Sequence, residues 1–270
     1  MAFLAADRAL TMKVVLFCGG LGLRLREYSH QVPKPMVPVG PRPLLWHVMK
    51  YYAHFGHKEF IICLGHRGEA IKRYFLEYSE ALGNNFTFRD GGRTLELESR
   101  DIADWTITFV DTGMRSNVGE RLRRVQSYVE DEELFLANYS DGLTDLPLDR
   151  YLAYARQKDR IGCFLATRPN ASFHAVKWRD GGVVSEINPI RRGTRINCGY
   201  FVFKPEIFRY LEPGEDLVVE PFHRLIEQEE LVTYEYLGFW ECADTFKDKI
   251  YLDQLFERGE APWMVWSQAR

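Results

Sequence analysis

The stretch Lys13-Val14-Val15-Leu16-Phe17-Cys18, followed at once by Gly19-Gly20-Leu21-Gly22-Leu23-Arg24-Leu25, decides the fold. A short apolar run rich in β-branched residues reads as a buried strand. The glycines that end it leave backbone N–H groups unhindered, so the loop can approach phosphate oxygens. A tight structural turn would use the same glycines. Two common phosphate loops fit poorly: no Gly-Lys-Ser/Thr closes the segment, and Leu25 stands where a dinucleotide fingerprint needs its third glycine.

Working outward, Leu44, Leu45, Val48, Met49 and Tyr52 recur at helical spacing over Leu44–Phe55, with Gly56 where a helix stops. Phe60–Leu64 reads as a second buried strand, and Ala70–Tyr78 as a helix with Ile71, Tyr74, Phe75 and Tyr78 on one face. Strand and helix alternating in this way predict an α/β fold: a Rossmann-like, mixed but mostly parallel sheet with right-handed crossovers, flanked by helices. Trp105–Val110 alternates as a strand, Arg121–Tyr128 reads as a helix, and Leu134–Tyr139 is a strand that runs into Ser140-Asp141-Gly142. An acid at the C-terminal end of such a strand occupies a common active-site position. Further on, strands are expected at Gly162–Thr167, Ala175–Trp178 and Tyr200–Phe203, and helices at Glu220–Glu230 and Thr245–Arg258. The charge-dense stretch Arg89–Asp104 reads as a solvated insertion or hairpin. The expected layout is a tail over 1–11 and one domain over 12–270. Its nucleotide half spans about 12–145; a smaller substrate-binding region with the C-terminal helix spans about 146–270.

Of the 270 residues, 46% are hydrophobic and 27% charged, which excludes disorder as the main state. The 35 basic and 38 acidic residues leave a formal charge of -3, so the chain has no global attraction for nucleic acid or an anionic membrane. Phosphate recognition must be local. No apolar run reaches the roughly 18 residues of a membrane span, and Asp7 and Arg8 break the short apolar start before a secretory signal forms. Five scattered cysteines without a C-x-x-C pair point to free thiols in a reducing, cytoplasmic compartment. Trp46, Trp240 and Trp263 read as core or subunit contacts, and the aromatic tail Trp263–Trp266 would suit an interface.

Gly-Gly-x-Gly-x-Arg-Leu followed by Pro33-Lys34-Pro35 resembles the signature of the sugar nucleotidyltransferases. The likeness extends from Met12 over nearly the whole chain and is closest to the glucose-1-phosphate cytidylyltransferase branch. It is carried by Leu44–Lys50, Asp111-Thr112-Gly113, Gly238-Phe239-Trp240 running to Asp244-Thr245, and Gly259–Trp263. The resemblance implies transfer of a nucleoside monophosphate, CMP from CTP in this branch, to a sugar 1-phosphate with release of pyrophosphate. It implies Mg2+ as cofactor, held by Asp141 and Asp244, and a homo-oligomer. Arg24 and Lys34 take catalytic positions at the reacting phosphates. Cys18, Gly19, Gly20, Gly22, Arg24, Asp111, Thr112, Gly113 and Arg121 fall on nucleotide-binding positions, while Arg123 and Arg124 suit structural roles equally well.

The acceptor half departs from the family pattern. Leu23 stands where the family has Thr or Ser. The family's Glu-Lys-Pro aligns with Ile187-Asn188-Pro189, removing a hydrogen-bond acceptor and a positive charge, and His174 stands where glycine is usual. Asn197 is retained as a sugar contact, and Arg191, Arg192 or Arg195 is placed to restore the missing charge. With His174 and Asn188 these residues form the expected acceptor set. Three readings stay open: an enzyme with an altered acceptor, an ordinary cytidylyltransferase whose loop has drifted, and a catalytically silent nucleotide-binding protein of the same fold.

Overall fold

The apolar run Lys13–Phe17 forms strand β1, with four of its five residues buried. The computed structural model describes residues 11–20, 32–170 and 173–267, with only the backbone of Arg191. After β1 come helix α1 (Leu44–His54), β2 (Glu59–Leu64) and α2 (Gly68–Leu76). A hairpin of β3 (Phe86–Arg89) and β4 (Thr94–Leu97) leads to β5 (Thr106–Asp111) and α3 (Val118–Arg124). Strands β6 (Phe135–Tyr139) and β7 (Gly142–Thr144) precede α4 (Leu148–Lys158) and β8 (Gly162–Thr167). A second hairpin follows, β9 (His174–Trp178) with β10 (Val184–Pro189), then β11 (Ile196–Asn197) and β12 (Phe201–Phe203). The chain closes through α5 (Glu220–Glu227), β13 (Leu231–Glu235), β14 (Trp240–Cys242) and α6 (Phe246–Glu257).

Among the described residues the main sheet has eight strands. Strands β6, β1, β2 and β5 lie side by side and parallel, as the strand–helix alternation requires. Beyond β6 the direction reverses: β12 is antiparallel to β6, and β8 is antiparallel to both β12 and β11. Strand β13 pairs parallel with β8 on the opposite side. The pairing with β8 is interrupted between β11 and β12, where Gly199 and Tyr200 take φ of 77° and 52°. A side chain at Gly199 would meet Asn138 Oδ1 at 2.5 Å, and that oxygen accepts the Tyr200 N–H at 2.9 Å. The bulge therefore needs glycine on both steric and backbone grounds.

Alternation along β1 divides the interior in two. Val14 and Leu16 point into a core completed by α1, α4 and Ile71 of α2. Val15 and Phe17 point into a second core with Leu122 of α3 and Phe222 and Leu225 of α5. Helices thus cover both faces, the arrangement a parallel sheet needs. The C-terminal aromatics belong to the first core: Trp263 is 1% exposed, stacks on Phe239 and donates its indole N–H to His47, while Trp266 packs edge-on against Trp46. Trp263 is thus used within the chain, while Trp266 stays partly exposed.

Candidate active site

Strands β1 and β6 are parallel neighbours with Phe17 opposite Tyr139, so Cys18-Gly19-Gly20 and Ser140-Asp141 leave the sheet side by side. The Ser140 hydroxyl donates to the Phe17 carbonyl at 3.0 Å and ties the two strand ends together. Strand β14 pairs antiparallel with β7, Cys242 opposite Gly142, and the Ala243 N–H donates to the Asp141 carbonyl at 3.1 Å. That short ladder sets Asp244 beside Asp141. Thr245 then caps α6 through a reciprocal bond pair with Asp248 and fixes the direction in which the chain leaves.

Lys34 sits on the single turn Lys34–Met36, between two prolines that stiffen it. Its ammonium lies 2.6 Å from Asp141 Oδ2 and also bonds Asp244, all three side chains being partly buried. Burial alone would lower the Lys34 pKa, but the two carboxylates outweigh it and hold the ammonium charged. The arrangement aims two carboxylates at one cationic point. Among the described residues no group of three or more His, Cys, Asp or Glu assembles to hold a metal, here or elsewhere. Two hard oxygen donors fit Mg2+, which completes its shell with waters and substrate phosphates.

A cavity of about 260 Å³ adjoins this cluster, lined by Cys18, Gly19, Gly20, Lys34, Asp141 and Arg121 among others. Among the described residues nothing lies within 4 Å of a side chain at Gly20, whereas a side chain at Gly19 would overlap the Arg121 guanidinium. Gly22 and Arg24 lie outside the described residues. Arg121 is 3% exposed and fully engaged in tying the wall together. It donates to the Leu64 carbonyl at 2.9 Å, to Thr112 Oγ1 at 2.7 Å and to the Gly19 carbonyl at 2.8 Å. Thr112 is buried and donates to the Leu64 carbonyl in turn, and Asp111 Oδ1 accepts the Gly113 N–H. Arg121, itself anchored on Thr112 and the Leu64 carbonyl, therefore braces Gly19 at the start of the loop. Arg123 and Arg124 both ion-pair with Glu120 on their own helix.

The expected acceptor residues are scattered. His174 and Pro189, at the base of the β9–β10 hairpin, line a second cavity of about 710 Å³ together with Asn170, Glu241, Lys247 and Tyr251. Asn188 pairs with Ala175, which puts it on the other face of the hairpin, and its amide bonds Glu186. Ile187 shares the His174 face and is exposed. Arg192 is exposed, Arg195 is ion-paired with Glu235 of β13, and the Arg191 side chain lies outside the described residues. Asn197 is half-buried and accepts the Gly199 N–H at 2.9 Å.

Two cavity residues escaped the sequence reading. Glu241 is 6% exposed, and its Oε2 accepts the Asn170 amide at 2.6 Å. Burial pushes the Glu241 carboxyl up to about 7, against the pull of the Asn170 bond. A lone acid alternating into the apolar stretch Trp240–Ala243 was the available signal for Glu241; nothing local marks Asn170.

A family model described as nucleotidyl transferase matches residues 13–248. The chain is 40% identical over 257 residues to the glucose-1-phosphate cytidylyltransferase of Salmonella typhimurium, covering 94% of this chain and 100% of that protein. The Salmonella typhi protein of the same name is 39% identical over the same coverage. Among solved structures, UDP-glucose pyrophosphorylase complexed with UDP-glucose superposes with a TM-score of 0.69 at 15% identity, over 93% of this chain and 100% of that one. UTP-bound UGPase from Acinetobacter baumannii gives 0.67 at 16% identity, over 92% and 93%. The two structural likenesses show the fold, a central mixed sheet flanked by helices, and the sequence matches show the kinship. With its glycine loop, bracing arginine and paired aspartates arranged around one lysine, the chain belongs to the nucleotidyl transferase family.

Proposed function

We propose that this enzyme transfers a nucleoside monophosphate, CMP from CTP in first preference, to a sugar 1-phosphate or related phosphorylated acceptor, releasing pyrophosphate. The observation that carries this reading is the Lys34 ammonium held between Asp141 and Asp244, beside the glycine loop at the ends of β1 and β6. An oxygen of the acceptor phosphate attacks the α-phosphorus, a P–O bond forms there, and the bond to the bridging oxygen of the β-phosphate breaks. Backbone N–H groups of Gly19 and Gly20 are the donors offered to the polyphosphate. Lys34 supplies positive charge where the two anions must approach. Asp141 and Asp244 would hold Mg2+, which when bound neutralises phosphate charge and aligns the leaving group.

The acceptor side is proposed to differ from the glucose 1-phosphate type, because Ile187 and Asn188 provide neither the carboxylate nor the ammonium of the family pattern. A homo-oligomer is also proposed, now on the two hairpins. Phe86, Phe88 and Leu95 share one exposed face of β3–β4, and Val176, Trp178 and Ile187 share one exposed face of β9–β10. Contiguous apolar surface of this kind marks an association site. Among the described residues no helix is long and apolar enough to cross a membrane, and all five cysteines are free; a cytoplasmic setting is part of the proposal.

The test is pyrophosphate release with Mg2+, crossing CTP, UTP, dTTP, ATP and GTP against a panel of sugar 1-phosphates, with Asp141→Ala as control. Turnover fastest with CTP is expected. Efficient turnover of glucose 1-phosphate would remove the altered acceptor, and nucleotide binding without transfer to any acceptor would overturn the enzymatic reading. Sedimentation of the protein and of Trp178→Glu checks the oligomer; a monomeric wild type would end that part.

A further inference from the structure

We infer that Asn170 and Glu241 are specificity-determining residues that read two neighbouring ring hydroxyls of the acceptor in the larger cavity. The inference rests on the reading of the chain as a sugar-phosphate nucleotidyltransferase and names the chemistry of its acceptor site.

The geometry begins with β14. Its register sets Glu241 opposite Leu143, on a strand whose next residues lead to Asp244. Three residues of extended chain span at most about 11 Å. On this inference, a ligand whose phosphate sits at Asp141 and Asp244 extends its ring across that span to the Glu241 side of β14. The cavity of about 710 Å³ receives such a ring between the hairpin base, His174 and Pro189, and the first turns of α6, Lys247 and Tyr251.

The hydrogen-bond inventory is incomplete in a way that a sugar completes. Glu241 is buried, yet among the described residues its carboxyl makes a single side-chain hydrogen bond, Oε2 to the Asn170 amide. An ionised carboxyl has four acceptor positions and a side-chain amide has a carbonyl oxygen of its own. Glu241 Oε1 and Asn170 Oδ1 are thus two acceptors, joined by one bond, at the wall of one cavity. A buried carboxyl with so few partners is costly to keep. Burial, with the Asp248 charge nearby, raises its pKa to about 7. Two hydroxyls on adjacent ring carbons donate to two such acceptors at once. This also accounts for the acceptor capacity absent from the hairpin, where Ile187 is exposed and Asn188 faces away from His174.

The experiment uses the full chain with CTP, Mg2+ and the best acceptor of the panel. It measures kcat/KM for that acceptor and for each of its monodeoxy analogues. Wild type, Glu241→Gln, Glu241→Leu and Asn170→Ala are compared, with the KM for CTP recorded in each. The wild type is expected to lose 10- to 100-fold on at least one analogue, the cost of leaving a buried acceptor unpaired. In Glu241→Leu that discrimination is expected to fall within about threefold, with the KM for CTP unmoved. Glu241→Gln keeps the shape and a carbonyl for Asn170, and is expected to fall between. Unchanged discrimination in Glu241→Leu, or acceptor and CTP parameters shifting together in both Glu241 variants, would overturn the inference while leaving transfer intact. If wild type transfers to no sugar phosphate, the functional reading itself fails and the inference falls with it.

Discussion

Arg121 offers the sharpest test of how the site is built, because its sequence position suggested a nucleotide contact and its surroundings make it a cross-tie. In Arg121→Met a neutral chain of similar length fills much of the volume, but the three donor contacts to Leu64, Thr112 and Gly19 vanish. Each charge-assisted hydrogen bond contributes roughly 1.5–3 kcal/mol, and their sum overstates the loss. The guanidinium itself is costly to bury, as its lowered pKa records, with desolvation the leading cause. A net destabilisation of about 3–5 kcal/mol follows, in the range found when one partner of a buried polar network is removed. At roughly 2–4 °C per kcal/mol for a domain of this size, the melting temperature should drop by about 6–20 °C. The KM for CTP should rise as well, because Gly19 loses its brace. The assays are thermal and urea unfolding beside steady-state kinetics. A melting temperature within 1 °C of wild type together with a large rise in KM would refute the cross-tie and make Arg121 a direct ligand of the nucleotide.

Three further outcomes are expected. His47 donates from Nε2 to the Val39 carbonyl, His57 accepts the Met12 N–H, and burial lowers both to about 4. Each contributes stability that is full above 6.5 and lost as pH falls toward 4, up to about 3 kcal/mol apiece. Urea melts should therefore show a steep acid loss that His57→Asn flattens, and an unchanged profile would contradict the neutral assignment. Glu241 has the opposite sign: its raised pKa favours the fold below about 4.5 and penalises it as pH rises through 7. Glu241→Gln should then gain up to about 3 kcal/mol at pH 8 and nothing at pH 4.5, read from melts at both values. Gly199→Ala should cost about 2–4 kcal/mol, combining a left-handed φ with the collision at Asn138, and a neutral result would mean that the bulge rearranges freely.

Much of the sheet was legible because its signals are local. A run such as Lys13–Phe17 buries nearly every side chain, and a helix such as Leu44–His54 carries its own period, so each declares its type without reference to a partner. The antiparallel ladder β7–β14, the helix Leu148–Lys158 and the edge strand β13 were not marked, being short or weakly patterned. The stretch Arg89–Asp104, left open between an insertion and a hairpin, proves to contain the return strand of a hairpin that starts earlier, at Phe86.

For the site the division is similar. The sequence alone determined a glycine loop closing a buried strand, a lysine stiffened between prolines and an acid at a strand's C-terminal end, since each depends on neighbours a few residues away. Tertiary structure decided that Asp244 meets Asp141 across β7 and β14, that Arg121 braces the loop, that His174 and Asn188 part to opposite faces of one hairpin, and that Asn170 joins Glu241. Such pairings depend on strand register and on which loops the sheet order brings together. A shift of one residue reverses every side chain, and no local spacing encodes it.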